Sequence, residues 1–366
     1  MPNITLNNLS GGDVRNISLE IRDREFVVLT GLPRCGNAAI IRMLAGLSKI
    51  SAGDIFMGER RVNDLPPNER DVAMVFPDDA LYPQMSVRQN ITFGLKKRKF
   101  SKTEIAKRVA DAASILKVED LLEEMPSALS REERQRVAIA RAVARKPKVF
   151  LLDRPLENLD AVIGAQLLAE LKKLQQRLQV TIIYATHDPI EAMILADRIV
   201  LLRDGVVAQD GAPLALYDEP LNLFVAGFLG RPPMNFLHGT LKESRELLVF
   251  SETEGGTIEV RFSKTESTTA ADFVGKPIVL GVRPEDILTG PSQRPAENLS
   301  ASFSSIVDHV ELRGAETNLH LLTGAHTIIC RSPRLLDIPG AGRRLPFQVD
   351  LSKSHFFDPV TTRRIS

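Results

Sequence analysis

A β-prone run at residues 24–30 (REFVVLT) breaks at Gly31, and a helical stretch at 38–47 follows at once. The loop between them reads Gly31-Leu32-Pro33-Arg34-Cys35-Gly36-Asn37-Ala38-Ala39. Two glycines at this spacing, after a strand and before a helix, can wrap backbone N–H groups around a phosphate at the positive end of the helix. The full pattern for that chemistry is G-x-x-x-x-G-K-[ST], in which Lys meets the β/γ-phosphates and the hydroxyl holds Mg²⁺. Here Asn37 stands at the Lys position and Ala38 at the hydroxyl position. A charge-assisted hydrogen bond contributes roughly 1.5–3 kcal/mol; Asn lacks the charge, and Ala cannot ligate a metal. Pro33 also removes a backbone N–H, and Arg34 puts a bulky side chain where a glycine-like backbone would be usual. On these residues alone an ordinary βα turn explains the glycines better than a phosphate cradle does.

The elements that must position such a loop are legible around it. Residues 148–152 (KVFLL) and 181–184 (TIIY) are apolar and β-branched, as in strands buried on both faces of a parallel sheet. Residues 199–202 followed by Asp204-Gly205 predict a strand and a tight turn. A helical insert rich in Lys, Arg, Glu, Ala and Leu runs over 86–145, so the first part of the chain reads as an α/β fold. Past about residue 235 the segments 256–262, 277–282, 302–312 and 318–322 are short, β-prone and separated by turn residues, which predicts a small barrel or sandwich. The boundary is set near Pro232-Pro233, giving domains 1–234 (helical subdomain about 78–147) and 235–366.

Composition excludes several classes. The 366 residues carry 47 Lys+Arg against 46 Asp+Glu, which leaves no electrostatic footprint for nucleic acid. The short basic run at 96–99 (KKRK) reads as a solvated loop. Two distant cysteines, Cys35 and Cys330, fit a reducing cytosol rather than a disulfide scaffold. No signal peptide is expected from the polar start, and no stretch approaches the ~20 apolar residues of a spanning helix. A soluble, cytosolic, multi-domain protein is expected.

Several blocks then occur in a characteristic order: 41–47 (IRMLAGL), 51–58 (SAGDIFMG), 65–71 (LPPNERD), 72–87 (VAMVFPDDALYPQMSV), 136–144 (RVAIARAVA), 149–160 (VFLLDRPLENLD), 184–193 (YATHDPIEAM) and 224–237 (FVAGFLGRPPMNFL). With them the chain resembles, essentially end to end, the ATPase subunit of ATP-binding-cassette (ABC) importers, in the branch serving maltose, other sugars and glycerol phosphate. The resemblance implies a P-loop nucleotide-binding domain with a helical subdomain, followed by an OB-like regulatory β domain. Residues 281–285 (GVRPE) mark that second domain, where the Arg-Pro-Glu tripeptide also reads as a plain turn with an ion pair; 355–359 (HFFDP) match its last strand region. The resemblance also implies ATP and Mg²⁺ as ligands, a homodimer or a heterodimer with a related subunit, and permease membrane subunits as partners. Residues 80–83 and 86–87 match the docking site for those subunits, although loop packing explains Tyr82 and Pro83 nearly as well; docking would hold the chain peripherally on the inner face of the cell membrane.

Position by position, the resemblance assigns roles and exposes replacements. Asp153 matches the magnesium-associated aspartate, and Arg154 stands where the water-polarising Glu is expected. General-base catalysis is typically worth about 10²–10⁴-fold, and Arg stays protonated. Pro77 replaces a Gln that contacts Mg²⁺ and water. The signature L-S-G-G-Q appears as Leu129-Ser130-Arg131-Glu132-Glu133, which would bring carboxylates near the phosphate of the opposite subunit. The adenine-stacking aromatic, expected around 10–14, has no candidate in Ser10-Gly11-Gly12-Asp13-Val14. His187 matches the γ-phosphate-sensing histidine, Asp160 the loop that communicates across the dimer, and Ser130 the signature hydroxyl. Gly31, Arg34, Cys35, Gly36, Asn37, Ala38 and Ala39 form the expected nucleotide loop, and Cys35 is assigned no redox chemistry. Because phosphoryl transfer is almost entirely positioning and electrostatics, the expectation is an importer subunit with impaired or absent hydrolysis. The alternatives are an active ATPase, with Arg34 and Arg154 supplying compensating charge, and a regulator without a permease.

Overall fold

The structure is a computed structural model that describes residues 3–78, 80–96, 100–244, 247–263, 269–289, 299–335 and 338–365. Three of the four residues of the basic run at 96–99 lie outside the described residues. The chain divides into two compact units, Met1–Leu214 and Ala215–Ser366.

In the first unit, β1 (Ile4–Gly11), β2 (Val14–Ile21), β4 (Ala52–Met57) and β5 (Arg60–Arg61) form an antiparallel sheet in the order β2-β1-β4-β5. The central sheet contains β3 (Phe26–Gly31), β6 (Val72–Val75), β7 (Val149–Asp153), β8 (Thr181–Ala185), β9 (Arg198–Arg203) and β10 (Val206–Gly211), in the order β10-β9-β3-β8-β7-β6. All its pairings are parallel except the β9–β10 hairpin. Three of its four interior strands, β3, β8 and β7, are buried at every residue, which is why they read as unbroken apolar runs rather than alternating ones. The hairpin turn is Asp204-Gly205, both at positive φ (51° and 84°), as a two-residue turn of this kind requires.

Helix α1 (Asn37–Ala45) follows β3 directly. Helices α2 (Val87–Lys96), α3 (Lys102–Leu116) and α4 (Arg131–Ala144) make the predicted helical insert. Helix α5 (Ala161–Leu178) and α6 (Pro189–Leu195) complete the crossovers to β8 and β9. One core joins α1, the central sheet and the inner face of the antiparallel sheet, with Ile40, Ile41 and Leu44 against Val27, Leu29, Leu151 and Ile183, all essentially without exposure. The end of β3 and the start of α1 are thereby held rigidly.

The second unit begins within the short helix α7 (Pro213–Asp218), continues through α8 (Leu223–Phe228), and is otherwise all-β. One sheet holds β11 (Asn235–Ser244), β12 (Leu247–Glu252), β13 (Glu259–Ser263), β14 (Pro277–Val282) and β20 (His355–Phe357), in the order β13-β12-β11-β14-β20. The other holds β15 (Ile287–Thr289), β16 (Leu299–Arg313), β17 (Glu316–Leu322), β18 (Thr327–Pro333) and β19 (Arg344–Asp350), in the order β15-β19-β16-β17-β18. Phe250, Leu280 and Phe356 from the first sheet share one core with Leu319, Ile328 and Phe347 from the second. The expected small β domain is therefore present. Its Arg-Pro-Glu turn is more than an ion pair. The buried Arg283 guanidinium donates to the carbonyls of Tyr217 (2.6 Å), Ala226 (3.1 Å) and Leu229 (2.7 Å) and lies 3.7 Å over the Tyr217 ring. Glu285 instead accepts from the Tyr217 hydroxyl at 2.5 Å. Among the described residues no helix is long and apolar enough to cross a membrane.

Candidate functional site

The loop predicted to cradle phosphate sits at the C-terminal end of β3, with its two glycines where only glycine fits. A Cβ on Gly31 (φ 150°) would come within 2.2 Å of the Leu202 carbonyl oxygen. Gly36 (φ 104°) is the N-cap of α1, and a Cβ there would lie 3.2 Å from Val14 Cγ2. Arg34 takes a positive φ of 66° without being glycine, while Cys35 is buried, which pushes its thiol up. Helix α1 has no acidic residue in its first turn, so no carboxylate there offsets the positive end of the helix. The β1–β2 turn packs on this helix start, where a Cβ on Gly12 would lie 3.7 Å from Ala39 Cβ. Val14, not a ring, is the side chain it brings there.

Asn37 does not point freely into the loop. It is 2% exposed; its Nδ2 donates to the Thr186 carbonyl at 3.0 Å, and its Oδ1 accepts from the Ala38 N–H at 2.8 Å. The side chain is thus clamped between the first turn of α1 and the end of β8. His187 is brought to the same place, with Nδ1 2.8 Å from the Gly31 carbonyl oxygen. Since a carbonyl only accepts, Nδ1 carries the proton and Nε2 is left with its lone pair.

Asp153, at the end of β7, is fully buried. Arg42 Nε on α1 lies 3.6 Å from its Oδ2 and Arg154 Nε lies 3.5 Å from its Oδ1. Oδ2 has no hydrogen-bond partner. Arg154 adopts a positive φ of 46°, donates its N–H to the Ala185 carbonyl at 3.0 Å, and bonds Glu157 Oε1 through Nη1 at 2.8 Å. An ion beside Asp153 would meet one carboxylate between two guanidinium groups. Mg²⁺ takes oxygen donors in near-octahedral array, and these residues do not fit one. Pro77 lies just beyond the end of β6 and adds no donor.

Ser130 and Asp160 each cap a helix. Ser130 is the N-cap of α4; its Oγ accepts from the Glu133 N–H at 3.2 Å, and Glu133 Oε2 accepts from the Ser130 N–H at 2.7 Å. Glu132 pairs with Arg136 at 2.9 Å. Both carboxylates are therefore bonded within their own helix. The S-x-x-E spacing of a capping box was the readable signal for this. Asp160 caps α5, accepting from Val162 N (3.1 Å) and Ile163 N (3.0 Å). Arg131 joins these two segments through the Asn158 carbonyl at 3.1 Å. The structure thus gathers residues 31–39, Asp153, Arg154 and His187 at one end of the sheet, and uses Ser130 and Asp160 as helix caps. Sequence reasoning missed Arg42 and Thr186, which reach the site only through packing.

The loop at 80–87 is held from behind. Asn90, fully buried, accepts from Tyr82 N (2.8 Å) and donates to the carbonyls of Tyr82 (3.2 Å) and Met85 (2.9 Å). Arg141 donates to the Ala80 carbonyl at 2.8 Å, and the Tyr82 and Phe93 rings lie 4.7 Å apart.

Comparison with known proteins agrees with this fold and loop. Residues 14–157 match the ABC transporter domain family, 230–287 the MalK OB fold domain and 280–357 the TOBE domain. The chain is 42% identical over 356 residues to the oligosaccharides import ATP-binding protein MsmX of Bacillus subtilis, covering 96% of this chain and 94% of that protein. It is 43% identical over 352 residues to the sulfoquinovosyl glycerol transport ATP-binding protein SmoE of Agrobacterium fabrum, covering 96% and 95%. Among solved structures, cbiO1 from Clostridium perfringens, part of the ABC transporter complex cbiONQ, superimposes with a TM-score of 0.55 at 27% identity over 59% of this chain and 90% of that one. A bacterial ABC transporter cassette solved as a dimer gives a TM-score of 0.52 at 27% identity over 57% and 98%. With relatives this similar over nearly its whole length, the chain belongs to the ATP-binding proteins of ABC transporters, in the group that carries MalK-type OB and TOBE domains.

Proposed function

We propose that this chain is the nucleotide-binding subunit of an importer for a carbohydrate-class solute, and that it hydrolyses ATP slowly or not at all. The transport role is supported by the relatives at 42–43% identity, described as import or transport ATP-binding proteins for oligosaccharides and sulfoquinovosyl glycerol. ATP is the nucleotide that the family implies. In this reading residues 1–234 form the nucleotide-binding part and 235–366 the regulatory part. Residues 80–87 receive a permease, and pairing follows the dimeric cassettes among the structural relatives. The permease would hold the chain against the membrane.

The observation that carries weak turnover is Arg154, whose guanidinium is bound to Glu157 and lies beside Asp153 where the resemblance places a water-activating carboxylate. A protonated guanidinium cannot take a proton from water. The clamped Asn37 adds to it, since no ammonium is present to follow charge onto a transferring phosphoryl group. This chain's own residues can still seat a phosphate: the α1 N-terminus offers backbone N–H groups, and Arg34 is the exposed cation on the loop.

A second reading, an active ATPase energising uptake, is favoured by the comparisons: the same relatives are described as ATP-binding transport proteins, and the His187–Gly31 contact is in place. Steady-state ATPase assays of the purified chain, alone and with a co-purified permease, decide between them. A rate near background in wild type supports the first reading. A magnesium-dependent rate abolished in His187→Ala overturns it in favour of the second.

A further inference from the structure

We propose that His309, Glu311 and His320 form a Zn²⁺-type divalent metal site on the outer face of the β16–β17 hairpin, remote in sequence from the nucleotide loop. One potential ligand atom from each of the three residues lies within 4.8 Å of the others. Tetrahedral zinc with bonds of about 2.0–2.2 Å sets its donors roughly 3.3 Å apart, so binding requires the side chains to draw in and at least one of the stacked rings to turn. Two imidazoles and one carboxylate are a zinc donor set that leaves a fourth position for water or another ligand.

The backbone is arranged to produce this grouping. Val307 pairs with Leu321, but His309 pairs with His320, so Asp308 is an extra residue in the ladder. In an unbulged ladder His309 would oppose Leu319, which is fully buried, and its side chain would face the core. The bulge turns His309 and Glu311 to the face that carries His320 and Asn318, re-aiming side chains as such irregularities do beside functional sites.

The surrounding polar groups match what a metal site needs. Asp308 Oδ2 lies 2.9 Å from His309 Nδ1, which fixes the proton there and leaves Nε2 for a metal. Arg313 donates to Glu311 Oε2 at 2.9 and 3.1 Å and Asn318 reaches the same oxygen at 3.4 Å, so Oε1 is left over. Oε1 stands 3.5 Å from His320 Nε2, which is buried and has no hydrogen-bond partner. The two imidazoles stack with centroids 3.9 Å apart. Arg313 is the one cation facing the group among these contacts; it opposes the metal's charge and is itself half-exposed, so it can swing away.

The test uses the full chain, without an affinity tag and dialysed against a chelator, titrated with Zn²⁺ by calorimetry and with Co²⁺ by visible absorption. One saturable equivalent per chain with tetrahedral cobalt bands is expected. Asp308→Asn should weaken it by about 10–100-fold, as for other outer-shell partners of a ligating His. His309→Asn and His320→Ala should abolish it. Because His309 is exposed, His309→Asn is read even where His320→Ala unfolds. No stoichiometric uptake by wild type, or uptake unchanged in His309→Asn, overturns the proposal. The readout is independent of nucleotide, so it stands apart from the reading of the ATP site.

Discussion

Replacing Asn37 by Lys tests how the nucleotide loop is built, because it exchanges two side-chain hydrogen bonds for one charge. In the present structure Asn37 is 2% exposed and makes hydrogen bonds of 3.0 Å to the Thr186 carbonyl and 2.8 Å from the Ala38 N–H. Lysine has no acceptor for the Ala38 N–H, and its ammonium would be buried without a counter-ion when no nucleotide is bound. Losing satisfied buried bonds of this kind costs about 1–3 kcal/mol, so the urea midpoint of the nucleotide-free chain should fall accordingly. With nucleotide present the same ammonium gains a charge-assisted bond of about 1.5–3 kcal/mol. At 1.4 kcal/mol per decade that is roughly a 10–100-fold gain in ATP affinity. Calorimetric ATP titration in EDTA, beside urea denaturation of both proteins, measures the two effects without a metal. If Asn37→Lys binds ATP no more tightly than wild type, phosphate does not seat at the α1 N-terminus and the assignment of the loop fails. An unchanged urea midpoint would show that the Asn37 clamp contributes nothing to stability.

Further outcomes follow from the other contacts. Arg154→Glu removes the 2.8 Å pair with Glu157 and sets a second carboxylate beside buried Asp153, so thermal stability should drop by about 1–3 kcal/mol; added Mg²⁺ should restore part of it, and a melt unaffected by either change would refute the electrostatic account. Ser130→Ala breaks one half of the α4 capping box and should lower the urea-unfolding free energy by about 1 kcal/mol. Arg283→Ala strands three carbonyls and uncovers Tyr217, so a loss of about 3 kcal/mol or more, or failure to fold, is expected on calorimetric scanning. Burial, with Arg364 and Arg283 nearby, pushes the His355 imidazole down from 6.5 to about 4. The unfolded chain then takes up the proton first, so this contribution is complete above about pH 6.5 and is lost as pH falls toward 4. After solvent screening it amounts to about 1–2 kcal/mol, and His355→Phe should flatten that part of a stability–pH profile.

Much of the architecture was written locally. Strands β3, β7 and β8 announce themselves because a strand buried on both faces must be apolar throughout, and Asp204-Gly205 announces a hairpin because its turn demands positive φ. Gly31 and Gly36 mark the loop for the same reason: the backbone there leaves no room for a side chain. Residue identity alone also showed that Asn37 carries no charge and Arg154 no usable base. What neighbours in the chain could not reveal were contacts made across it. Asn37 is clamped by Thr186, Asp153 lies between Arg42 and Arg154, and Arg283 holds the carbonyls of Tyr217, Ala226 and Leu229, because the strand order brings distant segments together. Glu133 of the signature segment turns back to cap its own helix, a choice decided by hydrogen-bond geometry. The grouping of His309 with His320 depends on one extra residue in a β ladder, and no alternation of residue types along β16 discloses it. Sequence determines which groups are available and which backbone conformations they tolerate; tertiary pairing decides which of those groups meet, and that meeting sets their chemistry.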